Sequence, residues 1–574
     1  MADKAKPVFS LTGIMIIAVL LRAAAVSFGL PHSYHADEPI VVHHALAYGT
    51  GDFNPHFFKI PPLVSYLLFL AYGAYYAAGR AMGWFGRVQD FEIAFYADPT
   101  PFYLIARILF GVTLGALTVY AVYRLVKRFF SEPAAAVSAL FLAVCYLHVR
   151  DSHYVYVDIP LLLVMVLGFF PFFKILEKGH ALQSHVAAGV CIGLATAIKY
   201  NGAFLAVPYV ACALWAKRRS GLFQGVAIAF VCSLVTFVVL NPFAVIDGPF
   251  FLEEIFTQAQ TNTGILGNHG MLGLKVGHYL TYALWGAMGL PLLVLSMYGM
   301  LGAFQSFEPK RAVLAIYLLG YYGVLCVAGQ PYARYVLPML PFAMILAGDG
   351  VVGLGAKAKG QRAALFTVVL VICIVPTLSR SLKFHQIMAA DDTRTLAKAW
   401  IEENIPAGSR IALERDFYMP LLKFSRKQLE EKLAATAGGA ELRSKSRERR
   451  LRYALSVLGN DGVPDYELYY LVDENELRGR SLFKSPTILF DYEVLRALGI
   501  EYVVMSAPDQ QPREESFREQ LRREGELVAE FNPYPELRPE MTLDNQSMTG
   551  GPFLWKDLKA RDRNGPILSV YRLR

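Results

Sequence analysis

The sequence predicts a polytopic α-helical membrane protein that ends in a C-terminal α/β domain. Three observations carry that reading. Hydrophobic residues make up 55% of the chain and charged residues only 18%, with a mean hydropathy of +0.37. A soluble fold this apolar has too little polar surface to cover itself, so lipid must solvate much of it. The apolar residues are concentrated between Phe9 and Leu378, in runs long enough to approach or cross a bilayer core. From Ala389 to Arg574 the chain instead has the charge density of an ordinary globular segment. The expected division is a membrane domain over 1–385, with a soluble domain over 386–574 as a separable accessory.

The elements follow in order. The first run, about 9–29, comes after Lys4 and Lys6 and ends at Ala23-Ala24-Ala25. It is read as an uncleaved first span in preference to a signal peptide, because later spans need a start. Further runs occupy 101–125, 133–149, 159–176, 184–198, 202–216, 222–240, 278–304, 312–328, 335–353 and 363–379. The basic clusters Arg124–Arg128, Lys174/Lys178, Lys217–Arg219, Lys310/Arg311 and Lys357–Arg362 all fall on one side if each of these runs crosses once. The run 62–79 would break that parity, so it is assigned to an interfacial or re-entrant position within a long outer loop, 30–100. About eleven spans result, with the C-terminal domain outside. The net charge of +8 therefore reports membrane orientation and implies no nucleic-acid partner.

The soluble part reads as alternating helix and strand. A helix runs through Glu403 and a strand covers 410–414. A basic helical stretch over 424–452 is followed by a strand over 468–472, a helix over 491–498, and strands over 501–505 and 567–572. No glycine-rich nucleotide loop and no nucleophile elbow occurs. All six cysteines lie in apolar runs without CxxC spacing, as small packing residues.

The unusual polar residues gather at the outer ends of the spans, where ionisable groups near bilayer depth normally mark a site. Asp37 and Glu38 follow the first span. A carboxylate pair at a membrane surface suits a general base, and a helix cap is the alternative. Lys59 precedes Pro61-Pro62 and is placed either to meet a lipid phosphate or to snorkel. Arg150 and Asp151 open a hairpin that closes at Asp158, a carboxylate set directly against an apolar run and in need of a partner. Lys199-Tyr200-Asn201-Gly202 and Arg334-Tyr335 each set a cation beside aromatics, as phosphate binders or interface anchors. The first outer loop also holds His32, His35, His43, His44 and His56, without the spacing of a zinc site.

These residues, together with Arg107 and with Asp392-Thr393-Arg394, Trp400-Ile401 and Asn404-Ile405-Pro406, resemble glycosyltransferase family 39 in order and spacing over some 400 residues. That family includes the protein O-mannosyltransferases, with the lipid A aminoarabinose transferases as relatives. The resemblance implies the C-type glycosyltransferase fold and a polyprenyl-phosphate sugar as donor. It also implies transfer to a hydroxyl of a glycan, lipid or protein outside the cytoplasm of a multi-pass inner (plasma) membrane protein. It aligns Asp37 with the family's catalytic aspartate and Asp158 with its second functional acid. Glu38 is the companion carboxylate, and Lys199, Arg334, Lys59 and Arg150 are candidates for the donor phosphate. Arg107, Tyr200, Asn201 and Tyr335 complete the candidate set. The aminoarabinose transferases carry Glu-Lys directly before the two prolines, whereas here Ile60 intervenes. No cofactor is implied, with a divalent metal left as an alternative. The other class of function considered is a secondary transporter or lipid-linked-sugar flippase, which should show internal repeats with matching broken helices.

Overall fold

A computed structural model of the chain describes residues 10–573 apart from 218–219, 264–275, 328–331, 358–361, 415–417, 437–441, 460–461, 473–485, 507–511 and 537–554. Lys4, Lys6, Arg218, Arg219 and Lys359, which belong to the basic clusters above, lie outside the described residues.

Among the described residues six helices are long and apolar enough to cross a membrane: Thr100–Phe129, Asp158–Lys178, Leu222–Leu240, Pro309–Val327, Ala333–Leu354 and the stretch Ala364–Asn404. Four shorter apolar helices occupy Leu11–Ala23, Glu132–Val144, Leu182–Ile198 and Tyr200–Leu214. The helix Leu63–Ala81 is continuous over 19 residues but is not among those apolar enough to cross.

The run 278–304, expected to cross as one helix, is instead two, Val276–Met288 and Leu290–Ser306, bent by 111°. Gly289 sits at the break with φ of +81°, and Pro291 lies within the first turn of the second helix. A residue with a Cβ pays for that backbone conformation, and proline tolerates only the start of a helix. The first run is also shorter than expected, with helix only over Leu11–Ala23. Ala25 and Gly29 both take positive φ and turn the chain before Pro31.

The chain forms two compact units. The first takes the described residues up to Val26, together with Ile40–Ala71 and Leu104–Lys383. Its helices Leu182–Ile198 and Leu222–Leu240 pack through Gly189 and Gly193, four residues apart. A Cβ on Gly189 would stand 2.3 Å from the Ala229 carbonyl oxygen, and one on Gly193 would stand 2.4 Å from that of Ser233. In lipid no hydrophobic force drives helices together, so small residues that let backbones touch supply the contact.

The second unit takes Ser27–Pro39, Tyr72–Tyr103 and Phe384–Arg574. It is built on a seven-stranded sheet of β1 (Arg410–Leu413), β2 (Lys423–Phe424), β3 (Asp465–Val472), β4 (Thr487–Leu489), β5 (Tyr502–Ser506), β6 (Glu526–Phe531) and β7 (Leu568–Arg572). The order is β2-β3-β1-β5-β7-β6, with β4 also paired to β3. The pairs β1–β3, β1–β5, β2–β3 and β3–β4 are parallel, while β7 runs antiparallel to both β5 and β6. Ile411, Leu413, Leu468, Val504 and Val570 face the helix Thr393–Asn404 through Ala397 and Ile401 in one core. Ala412, Leu471, Val503 and Met505 belong to a second core with Phe517 and Leu521. That two-sided burial is what a mostly parallel sheet requires. The basic stretch 424–452 is two helices, Arg426–Thr436 and Leu442–Val457.

Candidate functional site

In the first unit, one group of side chains gathers where regular helix gives way. Asp158 is the first residue of the helix Asp158–Lys178, where a carboxylate complements the helix dipole. Lys199 is the C-cap of Leu182–Ile198, in extended conformation, and a 3₁₀ turn, Tyr200–Leu205, follows it. The break brings the Lys199 ammonium to 2.7 Å from Asp158 Oδ1, a pair whose side chains are 19% and 4% exposed. A pair this dry is held by geometry, because each partner alone would be a poorly solvated charge.

Tyr156 sits under two cations. Its ring lies 4.8 Å from the Arg334 guanidinium and 5.9 Å from the Lys199 ammonium. Arg334 also lies 5.5 Å from Tyr332, and Lys199 lies 5.4 Å from Tyr335. Arg334 and Tyr335 occupy a second 3₁₀ turn, Ala333–Met339. Arg150 is buried, with Nη1 3.6 Å from Asp151 Oδ2. Burial pushes the Asp151 carboxyl up to about 6, raised further by Asp158 and opposed by Arg150, Arg334 and Lys199.

Tyr200 and Asn201 brace this group. The Tyr200 hydroxyl donates to the Phe58 carbonyl at 2.8 Å, while the Phe58 amide donates to Glu254 Oε2 at 2.7 Å. Asn201 Nδ2 donates to the Tyr321 hydroxyl at 2.7 Å. Lys59, the next residue after Phe58, is exposed. A shallow apolar recess, lined by Ile40, Val41, His44, Tyr48, Pro61 and Val157, adjoins the cluster through Val157, the neighbour of Asp158. Arg107, buried at the start of a π-helical segment, donates from Nη1 to the Val26 carbonyl at 2.7 Å, which ties it to the end of the first helix.

Asp37 and Glu38 lie in the second unit, at the start of the helix Glu38–Ala47. Glu38 is fully buried and accepts from Ser33 Oγ at 3.1 Å. Asp37 is half-buried, and its amide donates to His35 Nδ1 at 3.2 Å, which makes that nitrogen the acceptor. The structure thus brings Asp158, Lys199, Arg334 and Tyr335 together around Tyr156, with Arg150 beside Asp151, and leaves Lys59 at the surface. Sequence reasoning did not single out Tyr156 as the shared platform, and it placed Asp151 in the polar hairpin without a role of its own. The aromatic–cation composition of the 150–158 hairpin was the available signal. Among the described residues no three His, Cys, Asp or Glu side chains are arranged to hold a metal.

Residues 102–246 match the family model for dolichyl-phosphate-mannose-protein mannosyltransferase, and that segment contains Arg107, Arg150, Tyr156, Asp158 and Lys199. No curated protein matches the chain. Among solved structures, ArnT from Cupriavidus metallidurans bound to undecaprenyl phosphate superimposes over 98% of either chain, with a TM-score of 0.51 at 15% identity. The fold is that of the C-type glycosyltransferases. The Archaeoglobus fulgidus oligosaccharyltransferase with a tethered acceptor peptide is also similar, at a TM-score of 0.47 and 14% identity, over 86% of this chain and 69% of that one. A chain with the C-type glycosyltransferase fold and this many apolar helices is a multi-pass membrane protein.

Proposed function

We propose that this protein is a membrane glycosyltransferase that moves a sugar from a polyprenyl-phosphate carrier to an acceptor hydroxyl, with inversion at the anomeric carbon. The observation that carries the reading is the Lys199–Arg334 pair stacked on Tyr156, next to an apolar recess. Two cations set against one aromatic ring suit a single anionic headgroup, and an apolar recess beside them suits the first isoprene units of its lipid. ArnT, the solved structure with a TM-score of 0.51, was captured with undecaprenyl phosphate, which is a ligand of that chemistry.

In this mechanism Asp37 accepts the proton of the acceptor hydroxyl as its oxygen attacks the anomeric carbon, through a transition state of oxocarbenium character. The carbon–oxygen bond to the carrier breaks, and the electron pair leaves on the phosphate. Lys199 and Arg334 stabilise that growing charge, with Asp158 holding Lys199 in place and Arg150 and Lys59 as further contacts. The role of Asp37 rests on the sequence resemblance; its half-buried carboxyl, beside a Glu38 already engaged by Ser33, agrees with it. We further place the reaction and the C-terminal domain on the extracytoplasmic face of the plasma membrane, from the asymmetry of the basic loops.

The test is transfer from a synthetic polyprenyl-phosphate sugar by purified full-length protein, with glycan, lipid and peptide hydroxyls offered as acceptors. Turnover that depends on the carrier phosphate supports the proposal. Facilitated movement of the intact donor across proteoliposomes, with no transfer, would replace it with the flippase reading.

A further inference from the structure

The segment that carries Asp37, residues 27–39, packs in one unit with residues 384–574, far along the chain. Between the end of the first helix at Ala23 and the start of the next at Glu38, the backbone is turns and irregular structure. Such a stretch does not hold one conformation by itself. Its fixed point is Tyr34, which is 4% exposed.

Tyr34 is gripped in three ways. Its hydroxyl pairs with Thr395 Oγ1 at 2.9 Å. The Arg394 guanidinium lies 3.9 Å from the centre of its ring. Arg394 Nη1 also donates to the Tyr34 carbonyl at 3.4 Å. Arg394 is itself locked, since Nε and Nη2 donate to the two oxygens of Asp392 at 2.8 Å each. Asp392 accepts in turn from Asn564 Nδ2 at 3.1 Å, and Thr393 Oγ1 donates to the Pro566 carbonyl at 2.7 Å. The turn behind them is closed by Gly565, at φ of +105°, where a Cβ would stand 2.1 Å from Thr393 Oγ1. A chain of contacts thus runs from the turn before strand β7, through Asp392 and Arg394, to a ring three residues before Asp37.

A buried arginine–aspartate pair is a costly way to gain stability, because apolar residues of the same volume serve as well, but it is an effective way to fix one geometry. The pair lies outside the apolar clusters that pack the two faces of the sheet. We propose that Asp392, Arg394, Thr395 and Tyr34 form a latch by which the C-terminal domain sets the position of Asp37, so that Arg394 and Thr395 are positioning residues for the transfer reaction. The C-terminal domain is then a working part of the enzyme and not a separable accessory. This inference rests on the proposed role of Asp37.

The test compares Thr395→Val, Thr395→Ser and Tyr34→Phe in the purified full-length chain. Three quantities are read: kcat and KM for a polyprenyl-phosphate sugar, the melting temperature, and amide hydrogen exchange over 30–38. Misplacement of a reacting group by about 1 Å costs up to ~100-fold in rate, so Thr395→Val and Tyr34→Phe are expected to lower kcat by about 10- to 100-fold. KM for the donor and the melting temperature should stay near those of the unmodified protein. Exchange over 30–38 should quicken while exchange in β5 and β7 does not change, and Thr395→Ser should restore both rate and protection. Quickened exchange with unchanged kcat overturns the positioning role, and unchanged exchange overturns the latch. Gly565→Ala, which strains the far end of the latch, should give the same selective loss of protection. If the unmodified chain transfers no sugar, the proposed function fails, and the exchange arm alone decides whether the latch orders the segment.

Discussion

The pairing of Lys199 with Asp158 makes opposite demands on stability and on ligand binding, so a double-mutant cycle across it tests both. Two unit charges about 4 Å apart attract by roughly 4 kcal/mol at an effective dielectric of 20. The pair here has a 2.7 Å contact, with Asp158 almost wholly buried and Lys199 one-fifth exposed. Removing one partner of a fully buried pair costs ~3–5 kcal/mol, and the partial access of Lys199 to water reduces that to about 2–3 kcal/mol for Asp158→Asn. Lys199→Met should cost a similar amount, since it leaves the Asp158 carboxylate alone. The double variant should lose less than the sum, by a coupling of roughly 2 kcal/mol. Ligand binding separates the two residues. A charge-assisted hydrogen bond contributes about 1.5–3 kcal/mol, so Lys199→Met should weaken polyprenyl-phosphate affinity by roughly 10- to 150-fold. Asp158→Asn removes the competing anion and should bind the same lipid as tightly or more tightly, while turnover falls because Lys199 is no longer held. Thermal unfolding in detergent and titration with the lipid phosphate measure both quantities. Additive stability losses would refute the pair, and unchanged affinity in Lys199→Met would refute its phosphate role.

Further outcomes follow from neighbouring groups. Asp37→Asn keeps the shape and capping ability of the side chain but cannot accept a proton, so kcat should fall by about 10²–10⁴-fold with little change in melting temperature or donor affinity; near-normal turnover would move the base elsewhere. Arg334→Lys retains the charge but loses the planar stack on Tyr156 and Tyr332, and it should weaken lipid-phosphate binding by roughly tenfold, with Arg334→Met weaker still. Burial pushes the Asp151 carboxyl up to about 6 in the fold, against 3.8 for an unperturbed aspartate, so the folded state holds its proton longer. Its contribution is therefore greatest below pH 3.8, is lost as pH rises towards 6, and is level above that, a fall of about 3 kcal/mol at 1.36 kcal/mol per unit. Melting curves between pH 4 and 8 should show this slope in the unmodified chain and a flatter one in Asp151→Asn. Lipid-phosphate binding should tighten as pH drops through about 6, because Asp151 then no longer offsets Arg150.

Much of the membrane unit was legible because lipid imposes a one-dimensional code: long apolar runs that end in charged or aromatic residues. The hairpin from Arg150 to Asp158 stood out for the same reason, as charge set against apolar sequence. The bend in 278–304 was signalled by Gly289-Leu290-Pro291, two breakers in an otherwise apolar stretch. The pairing of Tyr34 with Arg394 was not legible, because nothing local in either segment encodes a contact between residues 360 positions apart. The short strands β2, β4 and β6 were missed for a related reason. With two, three and six residues, they are defined by the neighbours they pair with more than by an alternating pattern of their own.

Several candidate residues of the first unit share a further property, which ties their chemistry to their backbone. Lys199 stands at the junction of an α-helix and a 3₁₀ turn, Arg334 and Tyr335 lie within another, and Arg107 opens a π-helical segment. Irregular backbone inside an apolar bundle leaves amide groups with poorer partners than a continuous helix would, so it persists only where something is gained. The gain here is the direction of the side chains. A continuous helix through 182–214 would turn residue 199 by about 100° from each neighbour, in step with the rest of the helix. The extended conformation at Lys199, followed by the tighter turn, lets Lys199, Tyr200 and Asn201 reach Asp158, Phe58 and Tyr321 from three successive positions. Gly202 makes this turn possible, because a Cβ there would stand 2.3 Å from the Ala195 carbonyl oxygen. Gly202→Ala should therefore push the turn away from the preceding helix and disturb the contacts of Lys199, Tyr200 and Asn201 together. Weakened lipid-phosphate binding in that variant, with every charged residue of the cluster still present, would show that backbone geometry and not charge alone makes the site. Unaltered affinity would show that the cations act by charge wherever the turn places them.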